Sequence, residues 1–93
     1  MPYTVIYSDK VIKKHIPALP KAARETIKRA IETRLTESPD GHGKPLSQSL
    51  KGNWSLRVDD WRVIYRVEGT KVLILTIGHR RDAYDIVRRI LGQ

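Results

Sequence analysis

The chain has 93 residues, a length that suits one domain. Apolar residues make up 40% and charged residues 30%, and no apolar run approaches the ~20 residues of a membrane span. The first residues carry no basic stretch followed by a small-residue cleavage site, so a secretory leader is not expected. Cysteine is absent. That excludes a disulfide framework, thiolate chemistry and a sulfur-bound zinc, and it fits a reducing cytoplasm. Eighteen Lys+Arg against ten Asp+Glu give +8 at pH 7, and the excess is spread along the chain. A compact basic domain attracts polyanions, nucleic acid foremost.

Tyr3-Thr4-Val5-Ile6-Tyr7 is β-branched and aromatic and predicts a first strand. Ser8 offers an N-cap, with Asp9 in the first turn and Val11, Ile12 and Ile16 at helical spacing. Pro17 disfavours helix at the residue before it, so this helix is short. Pro20 opens a second helix, in which Ala23, Ile27, Ala30, Ile31 and Leu35 repeat at three and four against a charged face. It ends before Ser38-Pro39-Asp40-Gly41, and residues 41–45 read as a loop.

From residue 53 the period becomes two. Trp54, Leu56 and Val58 alternate with Ser55 and Arg57, Asp59-Asp60 turns, and Trp61, Val63, Tyr65 and Val67 alternate with Arg62, Ile64 and Arg66. After Glu68-Gly69-Thr70, residues 71–77 are apolar at nearly every position, as in a strand covered on both sides. Asp82 caps a last helix with Ala83, Ile86, Val87, Ile90 and Leu91 on its apolar side. The order β-α-α-β-β-β-α predicts an α+β fold in one domain over residues 1–93, its helices packed on one face of a mainly antiparallel sheet.

If Asp59-Asp60 is the turn, positions summing to 119 face each other. Val58 then faces Trp61, Arg57 faces Arg62, Ser55 faces Ile64 and Asn53 faces Arg66. Two arginines opposite on one sheet face repel, which costs stability unless something anionic sits between them. A ligand or one of Asp59, Asp60 and Asp82 can fill that role. The next loop decides whether Arg80 joins them. A three-residue loop at 68–70 puts Arg62 opposite Thr76 and Arg80 on the same face, whereas a two-residue loop reverses the parity. If a helix starts near Arg80, Tyr84 follows one turn later on the same face.

Other constellations carry less. His15, His42 and His79 lack metal-ligand spacing, so no metal or cofactor is expected. His79 flanks Arg80 and is either a general acid or base or a strand-end residue. Ser8, Ser47, Ser49 and Ser55 have no accompanying His/Asp pattern. Gly41-x-Gly43-Lys44 lacks the ending and the setting of a phosphate loop. Trp54 and Trp61 fit the core better than a base-stacking platform. Arg88-Arg89 either contacts phosphate or, as a basic pair near a helix C-terminus, complements the dipole of the last helix.

Taken in order, several segments resemble the RelE-type toxins of the RelE/ParE superfamily. They are Tyr3-Thr4-Val5-Ile6-Tyr7-Ser8, Ala18-Leu19-Pro20-Lys21, Lys44-Pro45-Leu46, residues 50–57 (Leu-Lys-Gly-Asn-Trp-Ser-Leu-Arg), Trp61-Arg62-Val63-Ile64-Tyr65-Arg66 and residues 77–84 (Ile-Gly-His-Arg-Arg-Asp-Ala-Tyr). The resemblance implies a small RelE-like fold. It implies an endoribonuclease (mRNA interferase) that enters the ribosomal A site and stops translation by cutting mRNA. It also implies a RelB-like antitoxin as partner. The implied reaction is metal-free: a 2′-OH attacks the adjacent phosphate and leaves a 2′,3′-cyclic phosphate and a 5′-OH.

Under this resemblance Arg62 binds phosphate and meets transition-state charge, Arg80 serves the transition state or leaving group, and Tyr84 orients the 2′-OH or stacks on a base. Arg57, Lys51, Lys44, Arg81 and Arg66 contact RNA phosphates. Some members carry two strand lysines where this chain has Asn53 and Ser55, so the base passes to Lys51, His79 or Tyr84. Two other readings stand beside this one, a ParE-like inhibitor of DNA gyrase and a catalytically weak ribosome- or RNA-binding domain.

Overall fold

The computed structural model describes residues 3–46 and 52–90, with the backbone alone at positions 40, 87, 88 and 90. Strand β1 (Thr4–Tyr7) leads to Ser8, whose Oγ accepts the Val11 N–H at 3.3 Å. A π-helical turn, Val11–His15, then runs into α1 (Ile16–Ala18). The helix therefore passes through Pro17 rather than stopping before it. Pro17 follows directly on the π-helical turn, in which the Ile16 N–H reaches back to the Val11 carbonyl. After the extended Leu19, α2 (Lys21–Ala30) follows Pro20 and continues as a second π-helical turn, Ile31–Leu35. Its buried residues Ile27, Ala30, Ile31 and Leu35 belong to the stripe read from the sequence.

The segment expected as loop is ordered. Pro39 opens the short α3 (Pro39–His42), whose Gly41 and His42 N–H groups bond to the Ser38 carbonyl at 3.0 and 3.1 Å. Strand β2 (Lys44–Pro45) follows. An anchor from the core holds this segment: the buried Tyr65 hydroxyl donates to the Pro39 carbonyl. The same hydroxyl lies so close to Gly43 that a Cβ there would collide with it. Strands of two residues carry no periodicity, which is why β2 is invisible to pattern reading.

Strands β3 (Trp54–Val58), β4 (Trp61–Glu68) and β5 (Lys71–His79) complete a five-stranded sheet of order β1-β5-β4-β3-β2. Only β1 and β5 run parallel; the other pairs are antiparallel. The β3–β4 register is the one deduced from the turn: Val58 opposite Trp61, Arg57 opposite Arg62, Ser55 opposite Ile64. Asp59 takes the left-handed φ of 54° that the turn requires, a conformation aspartate tolerates better than most residues.

Between β4 and β5 the turn is the two-residue Gly69-Thr70, which sets Glu68 opposite Lys71 and Tyr65 opposite Ile74. A bulge at Ile64/Tyr65 then skips Leu75, so that Ile64 faces Thr76 and Arg62 faces Gly78. The extra residue restores the parity that a three-residue loop would have given.

The sheet is covered on both faces, not on one. Val11, Leu19, Ile27, Ile31 and Leu35 pack against Leu56, Val63, Tyr65, Val72, Ile74 and Ile77, with Trp54 and Trp61 half-buried at the margin. On the opposite face α4 (Ala83–Ile90) brings Ala83 and Tyr84 onto Ile64, Leu75 and Leu46. The unbroken apolar run of β5 requires both covers.

Three stability measurements test this packing. Gly43→Ala should cost about 1–3 kcal/mol in denaturant unfolding, because the core hydroxyl must move. Thr76→Val should gain about 1 kcal/mol, since the buried Thr76 Oγ1 has no hydrogen-bond partner among the described residues. The His15 Nδ1 accepts the Ile77 N–H at 3.3 Å, and burial, then the Lys10 charge, lower its pKa below the ordinary 6.5. A lowered histidine pKa means that the unfolded chain binds the proton more readily. Its contribution is present above pH 6.5 and is lost as pH falls from there through the folded value. Comparing His15→Gln with the parent from pH 7.5 to pH 5 should show a flatter stability curve in the variant.

Candidate functional site

The α4 face of the sheet carries two cross-strand rows. One runs from Lys44 through Ser55 and Ile64 to Thr76, the next from Arg57 through Arg62 to Gly78. A cleft of about 370 Å³ opens over them, lined by His42, Lys44, Pro45, Leu46, Ser55, Arg57, Arg62 and Tyr84. Its floor is set by register, one wall by the Tyr65-anchored segment at 42–46, and the other by the first turn of α4. The Tyr84 hydroxyl lies 3.3 Å from Ser55 Oγ across the cleft. Among the described lining residues four are Lys, Arg or His and none is a carboxylate.

Arg62 is held rather than free. Its Nη1 donates to the Asp59 carbonyl at 3.1 Å and to its own neighbour, the Trp61 carbonyl, at 2.9 Å. The strained turn thus fixes the guanidinium beside the cleft. Arg57 opposite it is exposed and forms no ion pair among the described residues. No carboxylate among the described residues contacts Arg57 directly, and Asp59 is the acidic group that shares a cleft with it.

The other expected site residues are placed as follows. Arg80 is exposed in the turn after β5, where its N–H continues the ladder to the Asp60 carbonyl at 2.8 Å. It is not among the described residues that line the cleft, and it does not share a helix with Tyr84, because α4 begins only at Ala83. His79 does not join the cleft. It lies on the other face, edge-on to Trp61 with ring centroids 5.7 Å apart, and its Nδ1 accepts the Arg81 N–H at 3.3 Å. Arg81 is exposed in the same turn. Arg66 bonds the buried Asn53 at 3.4 Å and pairs with Glu68 at 3.8 Å, away from the cleft. Lys51, with Ser47, Ser49 and Leu50 beside it, lies outside the described residues.

Sequence reading missed His42 as a lining residue. Spacing along the chain gives no hint of it, since only the pairing of Lys44 with Ser55 swings residues 42–46 over the sheet. The sequence places Ser55 opposite Ile64 and where some family members carry lysine, but its contact with Tyr84 depends on the position of α4.

The opposed arginine pair makes a prediction. Arg57→Thr should raise stability by several tenths of a kcal/mol at low ionic strength, the gain shrinking as salt is added. Unchanged or lower stability in low-salt melts would show that Arg57 is already compensated.

Comparison with known proteins agrees with the fold. The family described as "ParE toxin of type II toxin-antitoxin system, parDE" matches residues 2–84. Toxin RelG of Mycobacterium tuberculosis is 34% identical over 86 residues, spanning 90% of this chain and 98% of RelG. The toxin–antitoxin complex RelBE2 of M. tuberculosis contains a chain that superposes with a TM-score of 0.80 at 30% identity, covering 86% of this chain and all of that one. The free E. coli toxin RelE, in a variant with two arginines changed to alanine, superposes at 0.72 with 21% identity, covering 97% and 99% of the two chains. With nearly its whole length matched in sequence and in fold, this chain belongs to the RelE/ParE superfamily of type II toxin–antitoxin toxins.

Proposed function

We propose that this toxin is a ribosome-dependent endoribonuclease that cuts mRNA in the A site by metal-free attack of a 2′-OH on the adjacent phosphate. The observation that carries the reading is the cleft in which Arg57, Arg62 and Lys44 surround Ser55 and the Tyr84 hydroxyl, with no carboxylate among its described lining residues. A phosphodiester brings one negative charge into such a cleft, and the phosphorane formed on attack carries more. Fixed guanidinium groups favour the second over the first.

In this reaction the 2′-oxygen bonds to phosphorus and the bond from phosphorus to the 5′-oxygen breaks. The proton of the 2′-OH passes to a base and the departing 5′-oxygen receives one. Arg62, oriented by the turn carbonyls, meets the charge on the phosphorane. Arg80, exposed on its turn, meets the leaving group. Tyr84 orients the 2′-OH, and Arg57 and Lys44 hold neighbouring phosphates, with Arg66, Arg81 and Lys51 as outer contacts. Within the cleft the proton carriers are the Tyr84 hydroxyl and the His42 ring. His79 acts as a positioning residue through its hold on the turn bearing Arg80 and Arg81. Ribosome dependence means that the ribosome supplies the substrate geometry which the open cleft lacks. The partner that silences the toxin is a RelB-like antitoxin, as in the RelBE2 complex, and the site of action is the cytoplasm.

A second reading is inhibition of DNA gyrase, favoured by the ParE description of the matching family. Primer extension on mRNA in a defined translation system separates the two. Cuts at A-site codons only when ribosomes are present are expected. Intact mRNA together with loss of gyrase supercoiling would overturn the nuclease. Arg62→Ala should lower the single-turnover cleavage rate by about 10²–10³.

A further inference from the structure

A second basic cleft adjoins the first. It has a volume of about 450 Å³ and lies between the α2 helix with its π-helical extension and the β3–β4 turn. Thr26, Arg29, Ala30, Thr33 and Arg34 fall at the i, i+3, i+4, i+7, i+8 positions of one helix face and form one wall. Arg57, Val58 and Asp59 form the other. Arg57 lines both clefts, so the two meet at its side chain.

Three arginines face this space and Asp59 is the one carboxylate among its lining residues. None of the three arginines forms an ion pair among the described residues. The hydroxyls of Thr26 and Thr33 donate back to the helix carbonyls of Ala22 and Arg29, at 3.0 and 2.8 Å, so the donors left facing the space are guanidinium groups. Those are the planar forks that suit phosphate oxygens. The cleft is predominantly polar, which argues against an apolar helix as its occupant.

We propose that this second cleft is a phosphate-binding subsite. In it Arg29 and Arg34 hold the sugar-phosphate backbone of an RNA strand that passes over Arg57 from the first cleft. The inference rests on the nuclease reading for the strand in the first cleft and extends the RNA path by a separate set of residues. The phosphates come either from the message or from ribosomal RNA beside it. The chemistry is the same for both.

The test is the salt dependence of binding for the parent, Arg29→Ala/Arg34→Ala and the charge-keeping Arg29→Lys/Arg34→Lys, each titrated against a fluorescent single-stranded oligouridine and against vacant ribosomes. Each phosphate contact to a single strand contributes about 0.7 to the slope of log K against log salt. The alanine pair should flatten the slope by about 0.7–1.4 and weaken binding at low salt about ten- to thirtyfold, while the lysine pair keeps most of the slope. Loss with both probes assigns the site to the message strand. Loss with ribosomes alone assigns it to ribosomal RNA. An unchanged slope with both probes overturns the proposal, as does a loss confined to antitoxin affinity, which would make the cleft a protein dock. Cleavage by the parent protein is scored separately. A parent that binds both probes but never cuts removes the nuclease and leaves the subsite to be judged on its slope.

Discussion

The register of three strands governs this molecule. A sheet that buries one face in a helical core and keeps another for charge tolerates no single-residue slip, because a slip exchanges the faces. The tight Gly69-Thr70 turn alone would send β5 past the bulge position out of phase with β4. Leu75 absorbs the difference. Before the bulge, Tyr65 and Ile74 point into the helical core; after it, Val63 and Ile77 still do. Arg62 and Gly78 thereby remain on the other face, under α4 and beside Arg57. The cationic cleft and the apolar core are two results of one pairing decision.

The second cover of the sheet follows from the same pairing. Ile64, Leu75 and Thr76 emerge opposite the main core and need shelter, which Ala83 and Tyr84 of α4 supply. The residue that closes the cleft is thus part of a packing cluster as well. So is the far wall, where a core phenol reaches out to Pro39 and leaves room only for glycine at position 43. Polar groups that face solvent in the cleft are positioned by residues that do not.

Much of this was legible in the chain itself. Asp59-Asp60 between two alternating runs gave the β3–β4 register, and with it the opposed arginines. The amphipathic stripe on α2 gave its buried face. The loop at 68–70 could not be resolved, because parity depends on both loop length and bulges, and a bulge among Val72-Leu73-Ile74-Leu75 leaves no mark in an all-apolar run. The one-faced sheet was the avoidable error, since that same run already implied two covers. His42 and β2 were out of reach: their positions depend on a hydrogen bond from Tyr65, twenty-six residues from its acceptor. His79 looked like a site residue by adjacency to Arg80, but neighbours in a strand point to opposite faces.

The parallel pairing of β1 with β5 joins Thr4 to Lys71 and Tyr7 to Ile74. Strand β1 precedes the other described elements in the chain, and its partner in the sheet is β5, the last strand among them. Such long-range pairing folds late, and the apolar surface of β1 and α2 waits uncovered in the meantime. The cleft is likewise incomplete until α4, which follows β5, brings Tyr84 over it. A nascent copy of this toxin therefore lacks the complete cleft for most of its own synthesis, and the order of its elements sets when the cleft is finished.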